Sequence, residues 1–429
     1  MLNDPEARKR LREEKAIQRQ RKQAQNRKLL IRLPIAAVVL IACGLLIFSI
    51  SRKEPEPNIS ATQGTTATQD ISASIGGTTG TEETLPPTTT IHYVAVGDLN
   101  INDRTVASGG SSYVYTDTFK DIAPLLADAD ISSVNFEGTL YDAPYGDTFS
   151  APQSMAEALQ KAGVDLVQMA NSYSINKGLS GLATSIDSIR AAGMEPLGVY
   201  PTNKAFQEGK GYTIRTVNGI KLAFVAFTKG MGGMALPAGS EDCVNVLYTD
   251  YDSAYQKVNK EKITSILSAV SKEKPDLVIA LLHWGSEFNN ALSASQKEIV
   301  SLMQANGVDA IIGTHSHYVQ KMTYDEETGK FVAYSLGDFL SDGGRSGTEY
   351  SVALDLEITR DNATGKTKIT GFSYVPIFTE HEEGKPLRIM RIQEAIAAYE
   401  NNFIQKVSKE TYEAMVYALK RITARVAGE

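Results

Sequence analysis

The stretch DLVIALLHWGSEF, residues 276–288, is an apolar run that ends in a histidine, and VDAIIGTHSHYVQ, residues 308–320, repeats this arrangement. Both runs are short and rich in branched apolar residues, which is typical of buried strands. The segment between them, SASQKEIVSLMQANG (residues 293–307), has apolar residues at helical spacing. The pattern predicts a strand, a helix and a second strand parallel to the first.

The same alternation extends over most of the chain. Further apolar runs that predict strands are HYVAVGDLN (92–100), ISSVNFEGTL (131–140), VDLVQMANSYS (164–174), KLAFVAFTKG (221–230) and FVAYSLGDFL (331–340). Further segments that predict helices are SMAEALQKAGV (154–164), GLATSIDSIRAAGM (181–194) and DSAYQKVNKEKITSILSAVSKEK (252–274). Short strands that alternate with amphipathic helices indicate the α/β fold class.

Polar side chains follow these predicted strands. In an α/β sheet, ligands bind outside the carboxyl ends of the strands. Taken singly, an Asp or Asn there is usually a turn or cap residue, and a histidine is usually a packing residue. Three of the five histidines nevertheless occur at strand ends, whereas His92 and His381 have no such context. We expect the polar residues at these strand ends to converge on one edge of the sheet; they are Asp98, Asn135, Glu137, Asn171, Thr228, His283, His315, His317 and Asp338.

The chemistry of this set favours a transition metal. Carboxylate, amide and imidazole ligands suit Mn, Fe or Zn. A thiolate cluster is excluded, because the only cysteines are Cys43 and Cys243. If the strand end is extended, His315 and His317 point to the same side and can enter one pocket. Two ions about 3.5–4 Å apart, bridged by a carboxylate, would make a centre that activates water.

The N-terminal region predicts a membrane anchor. Residues 1–32 carry eleven Lys/Arg and four Asp/Glu, a net charge of +7, which leaves −14 for the rest of a chain whose total is −7. This basic arm precedes an uncharged run at 33–50, just long enough to cross a lipid bilayer. The charge asymmetry predicts a single-pass anchor over 33–52, with a cytoplasmic N-terminus and the main domain extracellular. A cleaved signal peptide, or lipoprotein processing at Cys43, is the alternative.

The remaining organisation follows from composition. Residues 53–90 are rich in Thr, Ser, Gly and Pro, which predicts a disordered stalk. The folded domain is expected over 91–380, with a C-terminal helical extension over 381–429. A charge of −14 outside the basic arm, in a domain predicted to lie outside the cell, argues against a nucleic-acid partner.

Four ordered motifs resemble the CapA family of capsule and poly-γ-glutamate biosynthesis proteins. They are LLHWGSEF, IIGTHSHYVQ, YSLGDFL and the segment from Ser154 to Gly178. The resemblance implies a bacterial membrane protein with a calcineurin-like metallophosphatase fold, a layered α/β sandwich. It also implies that Glu137 bridges two ions and that six residues are metal ligands, namely Asp98, Glu137, Asn171, His283, His315 and His317. The sequence departs from the family's ANNH-x-x-D pattern at Tyr173, which replaces a histidine, and at Asn176.

The resemblance leaves two functions open. One is a metal-dependent hydrolase that acts on amide or phosphoester bonds during metabolism of an anionic polymer such as poly-γ-glutamate. The other is a catalytically impaired subunit that binds the polymer within a membrane synthase or export complex. Tyr173 and Glu287 are the catalytic candidates. Glu287 either orients His283 or faces solvent. A phenol with a pKa near 10 exchanges protons poorly at neutral pH.

Overall fold

The computed structural model describes residues 87–403 and 407–429. The predicted basic arm, the membrane anchor and nearly all of the predicted stalk fall outside these ranges. Within the described ranges, no helix is both long enough and apolar enough to cross a membrane.

The described residues form sixteen strands. In chain order these are β1 (Thr88–Asn100), β2 (Ile131–Glu137), β3 (Thr139–Leu140), β4 (Ser150–Ala151), β5 (Leu166–Gln168), β6 (Glu195–Leu197), β7 (Thr213–Val217), β8 (Ile220–Thr228), β9 (Leu277–His283), β10 (Ala310–Thr314), β11 (Met322–Asp325), β12 (Lys330–Ala333), β13 (Asp338–Leu340), β14 (Tyr350–Asp361), β15 (Thr367–Glu380) and β16 (Arg388–Arg391).

The described α-helices lie between and after these strands. They are α1 (Asp103–Ala107), α2 (Thr116–Phe119), α3 (Ala123–Ala127), α4 (Gln153–Lys161), α5 (Gly178–Ala191), α6 (Asn203–Gly209), α7 (Lys260–Lys272), α8 (Ala294–Ala305), α9 (Ile392–Glu400) and α10 (Lys409–Ala427). Side-chain caps begin several of them. Ser293, for example, caps α8 by accepting a hydrogen bond from the Gln296 N–H, as a helix N-terminus requires.

Two sheets organise the domain. The larger has the order β16-β15-β14-β1-β2-β5-β6, and β13 also pairs with β1. The smaller has the order β11-β12-β10-β9-β8-β7. Strands β1, β2, β5 and β6 run parallel to one another, as do β8, β9, β10 and β12. The carboxyl ends of each parallel set therefore share one edge, where functional residues of α/β proteins gather.

A buried apolar layer joins the two sheets. On β1, Tyr93 and Ala95 face this layer, and the Tyr93 ring packs 5.5 Å from the ring of Phe224 on β8. Val94 and Val96 face the opposite side, where α4 and α5 cover the larger sheet. Helices α7 and α8 cover the outer face of the smaller sheet. The predicted layered α/β sandwich is confirmed, with two sheets between two layers of helices.

Some predicted boundaries differ from the structure. β1 begins at Thr88, before the expected start at 91, because residues 88–90 pair with β14. The threonines that made this piece look like stalk suit a strand once a partner strand is present. Residues 381–429 supply strand β16 as well as two helices. The helix predicted over 252–274 begins only at Lys260, after a series of turns.

A bulge in β1 sets the direction of Asp98. The register between β1 and β2 shifts between Ala95 and Asp98, and such shifts commonly re-aim a side chain beside a functional site. The Asp98 N–H donates to the Gly337 carbonyl at 3.0 Å. Glycine at 97 permits this approach, because a Cβ there would lie 1.8 Å from the Gly337 oxygen.

Candidate metal centre

Three buried side chains from both sheets form one candidate ligand set. Glu137 ends β2, His283 ends β9 and His315 follows β10. One ligand atom of each lies within 4.8 Å of the others. The two imidazole rings are 4.4 Å apart, and His283 Nδ1 lies 3.2 Å from Glu137 Oε1. These three residues are named the Glu137 group below.

A second buried set contains Asp98, His317 and Asp338, named the Asp338 group below. Asp98 lies near the end of β1, and Asp338 begins β13, the short strand that pairs with β1. The ligand atoms again lie within 4.8 Å of one another. His317 Nδ1 is 2.8 Å from Asp338 Oδ1 and 3.7 Å from Asp98 Oδ2. This group therefore offers one imidazole nitrogen and two carboxylates.

Asn135 connects the two groups. Its Nδ2 donates to Asp98 Oδ1 at 2.6 Å and to Glu137 Oε1 at 3.2 Å. One amide thus touches a carboxylate of each group, so the two groups are neighbours. Hydrogen bonds of this kind orient metal ligands.

Asn171 lies beside Asn135 and makes hydrogen bonds through both the nitrogen and the oxygen of its side-chain amide. Its Nδ2 donates to Asn135 Oδ1 at 3.1 Å and to the Phe136 carbonyl at 2.6 Å. Its Oδ1 accepts from the Tyr173 N–H at 3.0 Å. The structure therefore shows Asn171 holding Asn135 in position. Its predicted role as a metal ligand remains a prediction.

Among the described residues, histidine is the one basic residue type that pairs with the three carboxylates. Burial raises the pKa of Asp98 to about 6, and it raises the pKa of Glu137 well above its ordinary value and that of Asp338 above it. Their close ionic contacts are with histidines. In the part of the chain that the structure describes, no Lys or Arg pairs with them. A bound cation would supply the charge that keeps such buried carboxylates ionised.

The histidines differ in their protonation. Burial, with repulsion from neighbouring cationic groups, lowers the pKa of His283 and His315 well below the ordinary value. Both imidazoles are therefore neutral, the state in which histidine binds metals. Burial opposes the charged form of His317, but the charge of Asp338 and its hydrogen bond outweigh burial and raise the pKa well above normal. A metal ion bound there would displace that proton.

The donor set fits borderline divalent metals. The Glu137 group offers two imidazoles and one carboxylate, and the Asp338 group offers one imidazole and two carboxylates. Nitrogen and carboxylate oxygen without thiolate is a combination that suits Mn, Fe or Zn. The geometry and chemistry of the described side chains thus support binding of divalent metal.

The prediction that His315 and His317 share an extended strand end is wrong. β10 ends at Thr314, and His315 and His317 have φ angles of 87° and 58°, in the left-handed region. Such conformations cost about 1–3 kcal/mol each for residues other than glycine and are concentrated at functional sites. The turn directs His315 to the Glu137 group and His317 to the Asp338 group. One short segment therefore supplies a histidine to each group, because the chain turns there and does not continue as an extended strand.

Polar partners hold the ring of His283. The Ser172 hydroxyl lies 3.1 Å from Nε2, and the Thr314 hydroxyl lies 3.3 Å from Nδ1. None of the hydrogen bonds found for His283 in the described residues involves Glu287. Of the two interpretations of Glu287, the structure favours an exposed position in the cleft above the ligand groups.

A cleft of about 320 Å³ opens over Glu137, His317 and Asp338. Tyr173 lines it and packs against Phe149, with 4.5 Å between ring centroids. Burial and nearby carboxylates raise the pKa of Tyr173 further above 10. Its phenol is therefore a hydrogen-bond donor at neutral pH and a poor proton-transfer group.

Two residues of the centre, Asn135 and Asp338, lie at predicted strand ends but are not among the six ligands that the resemblance implies. Asp338 lies near the end of the apolar run FVAYSLGDFL. Asn135 lies two residues before Glu137, on the same side of β2. Its role became visible only through its contacts with both carboxylates.

Comparisons with known proteins find similarity to capsule synthesis proteins. The profile of the family described as "Bacterial capsule synthesis protein PGA_cap" matches residues 92–343. The chain is 25% identical over 319 residues to the capsule biosynthesis protein CapA of Bacillus anthracis, covering 72% of this chain and 70% of that protein. It is 23% identical over 260 residues to the PGA biosynthesis protein CapA of Bacillus subtilis (strain 168), covering 59% and 63% respectively.

One similar solved structure is the calcineurin-like phosphoesterase YfkN from Bacillus subtilis, which is 15% identical in sequence. The match covers 79% of this chain and 97% of that chain, with a TM-score of 0.42. A putative 5'-nucleotidase from Staphylococcus aureus has 12% identity, coverage of 77% and 58%, and a TM-score of 0.44. The family match spans more than half of the sequence and contains both ligand groups. The chain therefore belongs to the bacterial capsule synthesis protein family PGA_cap.

Proposed function

We propose that this chain is a metal-dependent hydrolase that processes an anionic polymer of the bacterial capsule or cell envelope. The observation that supports this most is the pair of adjacent buried ligand groups beneath an open cleft. Poly-γ-glutamate is the polymer we propose, because the names of the relatives refer to capsule and PGA biosynthesis. Its γ-amide bonds would be cut during assembly or export, beside membrane synthase or export subunits.

The proposal assigns two divalent ions, Mn, Fe or Zn, to the two ligand groups. Asp98, His317 and Asp338 would hold one ion, and Glu137, His283 and His315 would hold the other. Divalent ions bound there supply Lewis-acid activation of water and of the scissile carbonyl or phosphoryl group.

The remaining residues position these ligands and the substrate. Asn135 holds Asp98 and Glu137 in fixed orientations through its Nδ2. Ser172 fixes the ring of His283. The protonated phenol of Tyr173 donates a hydrogen bond into the cleft. It does not transfer a proton readily at neutral pH, so we expect slow turnover.

Hydrolysis of the polymer tests the proposal directly. The full-length chain, supplied with Mn²⁺, is incubated with poly-γ-glutamate, and newly formed amino groups are counted. We expect slow cleavage that EDTA abolishes and that His283→Ala abolishes. His92→Ala is the matched control, because His92 is exposed and pairs with Asp355 outside the centre. An intact polymer with metal-replete wild type, or cleavage that survives His283→Ala, would contradict the proposal.

The second candidate is a polymer-binding subunit without catalytic activity. Tyr173 favours it, because this residue replaces the histidine of the family pattern and its pKa is raised further by burial. This function predicts that the chain binds poly-γ-glutamate, leaves it uncut and purifies together with membrane synthase or export subunits. Binding without any cleavage, at every metal tested, would select this candidate.

A further inference from the structure

A column of three stacked groups leads from the metal centre to the mouth of the cleft. The ring of Phe288 stacks on the ring of His317, with 5.0 Å between centroids. The guanidinium carbon of Arg345 lies over the ring of Phe288, 3.9 Å from the ring centroid. Two contacts therefore separate a candidate metal ligand from an exposed cation. Such stacking favours arginine, whose flat guanidinium packs on aromatic faces.

The column is held in place from both sides. The Phe288 N–H donates to the Ser316 carbonyl at 2.8 Å, with Phe288 itself in the left-handed region at φ 55°. The Arg345 carbonyl accepts from the Thr348 hydroxyl at 2.8 Å. The Tyr318 hydroxyl donates to the Ser346 carbonyl at 3.1 Å. Arg345 thus sits on a braced loop rather than on a free chain.

Among the described residues, the guanidinium of Arg345 makes no ion pair, although Glu287 and Asp342 line the same cleft. Arg345 is also the one Lys or Arg among the described residues that line this cleft. Lys229 lies nearby, but its Nζ donates to the Gly285 carbonyl at 2.8 Å and lies over the ring of Tyr255. Among the described residues, the N–H groups of the Arg345 guanidinium are therefore the cationic hydrogen-bond donors available to a molecule bound in this cleft.

We propose that Arg345 binds a carboxylate of the substrate beside the bond that lies over the metal centre, an inference that rests on the proposed function. In γ-linked glutamate, the carbon atom attached to each amide nitrogen also carries a free carboxylate. A substrate of this kind therefore presents a carboxylate next to every scissile bond. Guanidinium pairs with carboxylate through two parallel hydrogen bonds, which fixes orientation as well as affinity. Arg345 is a specificity-determining residue.

Binding measurements separate this role from a structural one. Titration calorimetry uses the full-length, Mn²⁺-loaded chain with a γ-linked glutamate pentamer and with the matching isoglutamine pentamer, whose side carboxylates are amides. Arg345→Gln should weaken binding of the carboxylate pentamer by roughly 10–100-fold and leave binding of the amide pentamer unchanged. Arg345→Lys should give an intermediate loss of affinity, because lysine keeps the positive charge but lacks the paired N–H donors of the guanidinium. Arg360→Gln is the matched control, because Arg360 pairs with Asp276 away from the cleft.

The outcomes distinguish this inference from the proposed function. Equal losses for both pentamers, no loss for either, or no binding of the carboxylate pentamer by the wild type would overturn the role of Arg345. If α-linked pentaglutamate binds equally well and also depends on Arg345, carboxylate recognition stands and the choice of poly-γ-glutamate fails. The metal content of the same samples tests whether the two ligand groups bind metal, and this test does not depend on the role of Arg345.

Discussion

Tyr173 is the cleft residue that bears most directly on the proposed catalysis. It lies beside Glu137 and Glu287, at the position of the histidine in the ANNH pattern that the sequence resembles. Burial and the nearby carboxylates raise its pKa, so the phenol keeps its proton at neutral pH. Both buried ligand groups are present in this chain, whereas a phenol stands at this position. Under the proposed function we therefore expect metal binding together with slow turnover.

Replacing Tyr173 by histidine should accelerate hydrolysis. An imidazole exchanges protons near pH 7, and general acid–base catalysis contributes roughly 10²–10⁴-fold. The initial rate of polymer cleavage by Tyr173→His, compared with wild type and Tyr173→Phe, measures this effect. Tyr173→Phe should stay as slow as the wild type or become slower. Brisk wild-type turnover that Tyr173→His leaves unchanged would show that this position has no such role.

At the scale of elements, the strand pair β1 and β13 brings distant parts of the chain together. Asp98 and Asp338 are Cα partners in this pair, and both belong to the Asp338 group. The close approach of Gly97 to the Gly337 carbonyl makes the pairing possible. The geometry of one ligand group therefore depends on a glycine that binds nothing itself.

Gly97→Ala should destabilise the domain and weaken metal binding. The added Cβ would meet the Gly337 oxygen at 1.8 Å, and overpacking of a filled interior costs about 1–3 kcal/mol. Urea denaturation measures the change in the free energy of unfolding. Gly371→Ala in β15 is the matched control, because a Cβ there has no atom within 4 Å. Equal stability of the two variants would refute this account of the bulge.

The elements also show what the sequence could predict. Apolar runs ending in polar residues predicted the strands, and the structure brings Asp98, Glu137 and the three histidines together. They come from two sheets and not from one sheet edge as expected. The left-handed turn at His315 and His317 was not predictable, because turn geometry depends on packing around it. The pairing of Asp338 with Asp98 was not predictable either, because β13 has only three residues and its partner strand lies far away in sequence.

At the scale of the whole molecule, charge and topology limit how a polyanion is bound. Outside the first 32 residues the chain carries a net charge of −14. This charge argues against broad electrostatic attraction to an anionic polymer and favours local capture. The metal centre and Arg345 are the local features that we propose for this capture.

The proposed membrane topology has a direct test. Residues 33–50 would span the membrane, with the folded domain outside and residues 53–86 exposed between them. Protease added to intact cells should release the folded domain by cutting this linking segment. Immunoblotting of the medium detects the fragment, and a cytoplasmic protein serves as the control for cell integrity. A domain that stays protected until the cells are lysed would rule the topology out.

The central claim is that both ligand groups hold metal, and metal content per chain tests it most directly. Mass spectrometry of the purified full-length protein should find about two divalent ions per chain in the wild type and in His92→Ala. His315→Ala removes a ligand of the Glu137 group, and Asp338→Asn removes a ligand of the Asp338 group. Each should lower the metal content. A wild type without metal, or His315→Ala with unchanged content, would contradict the account.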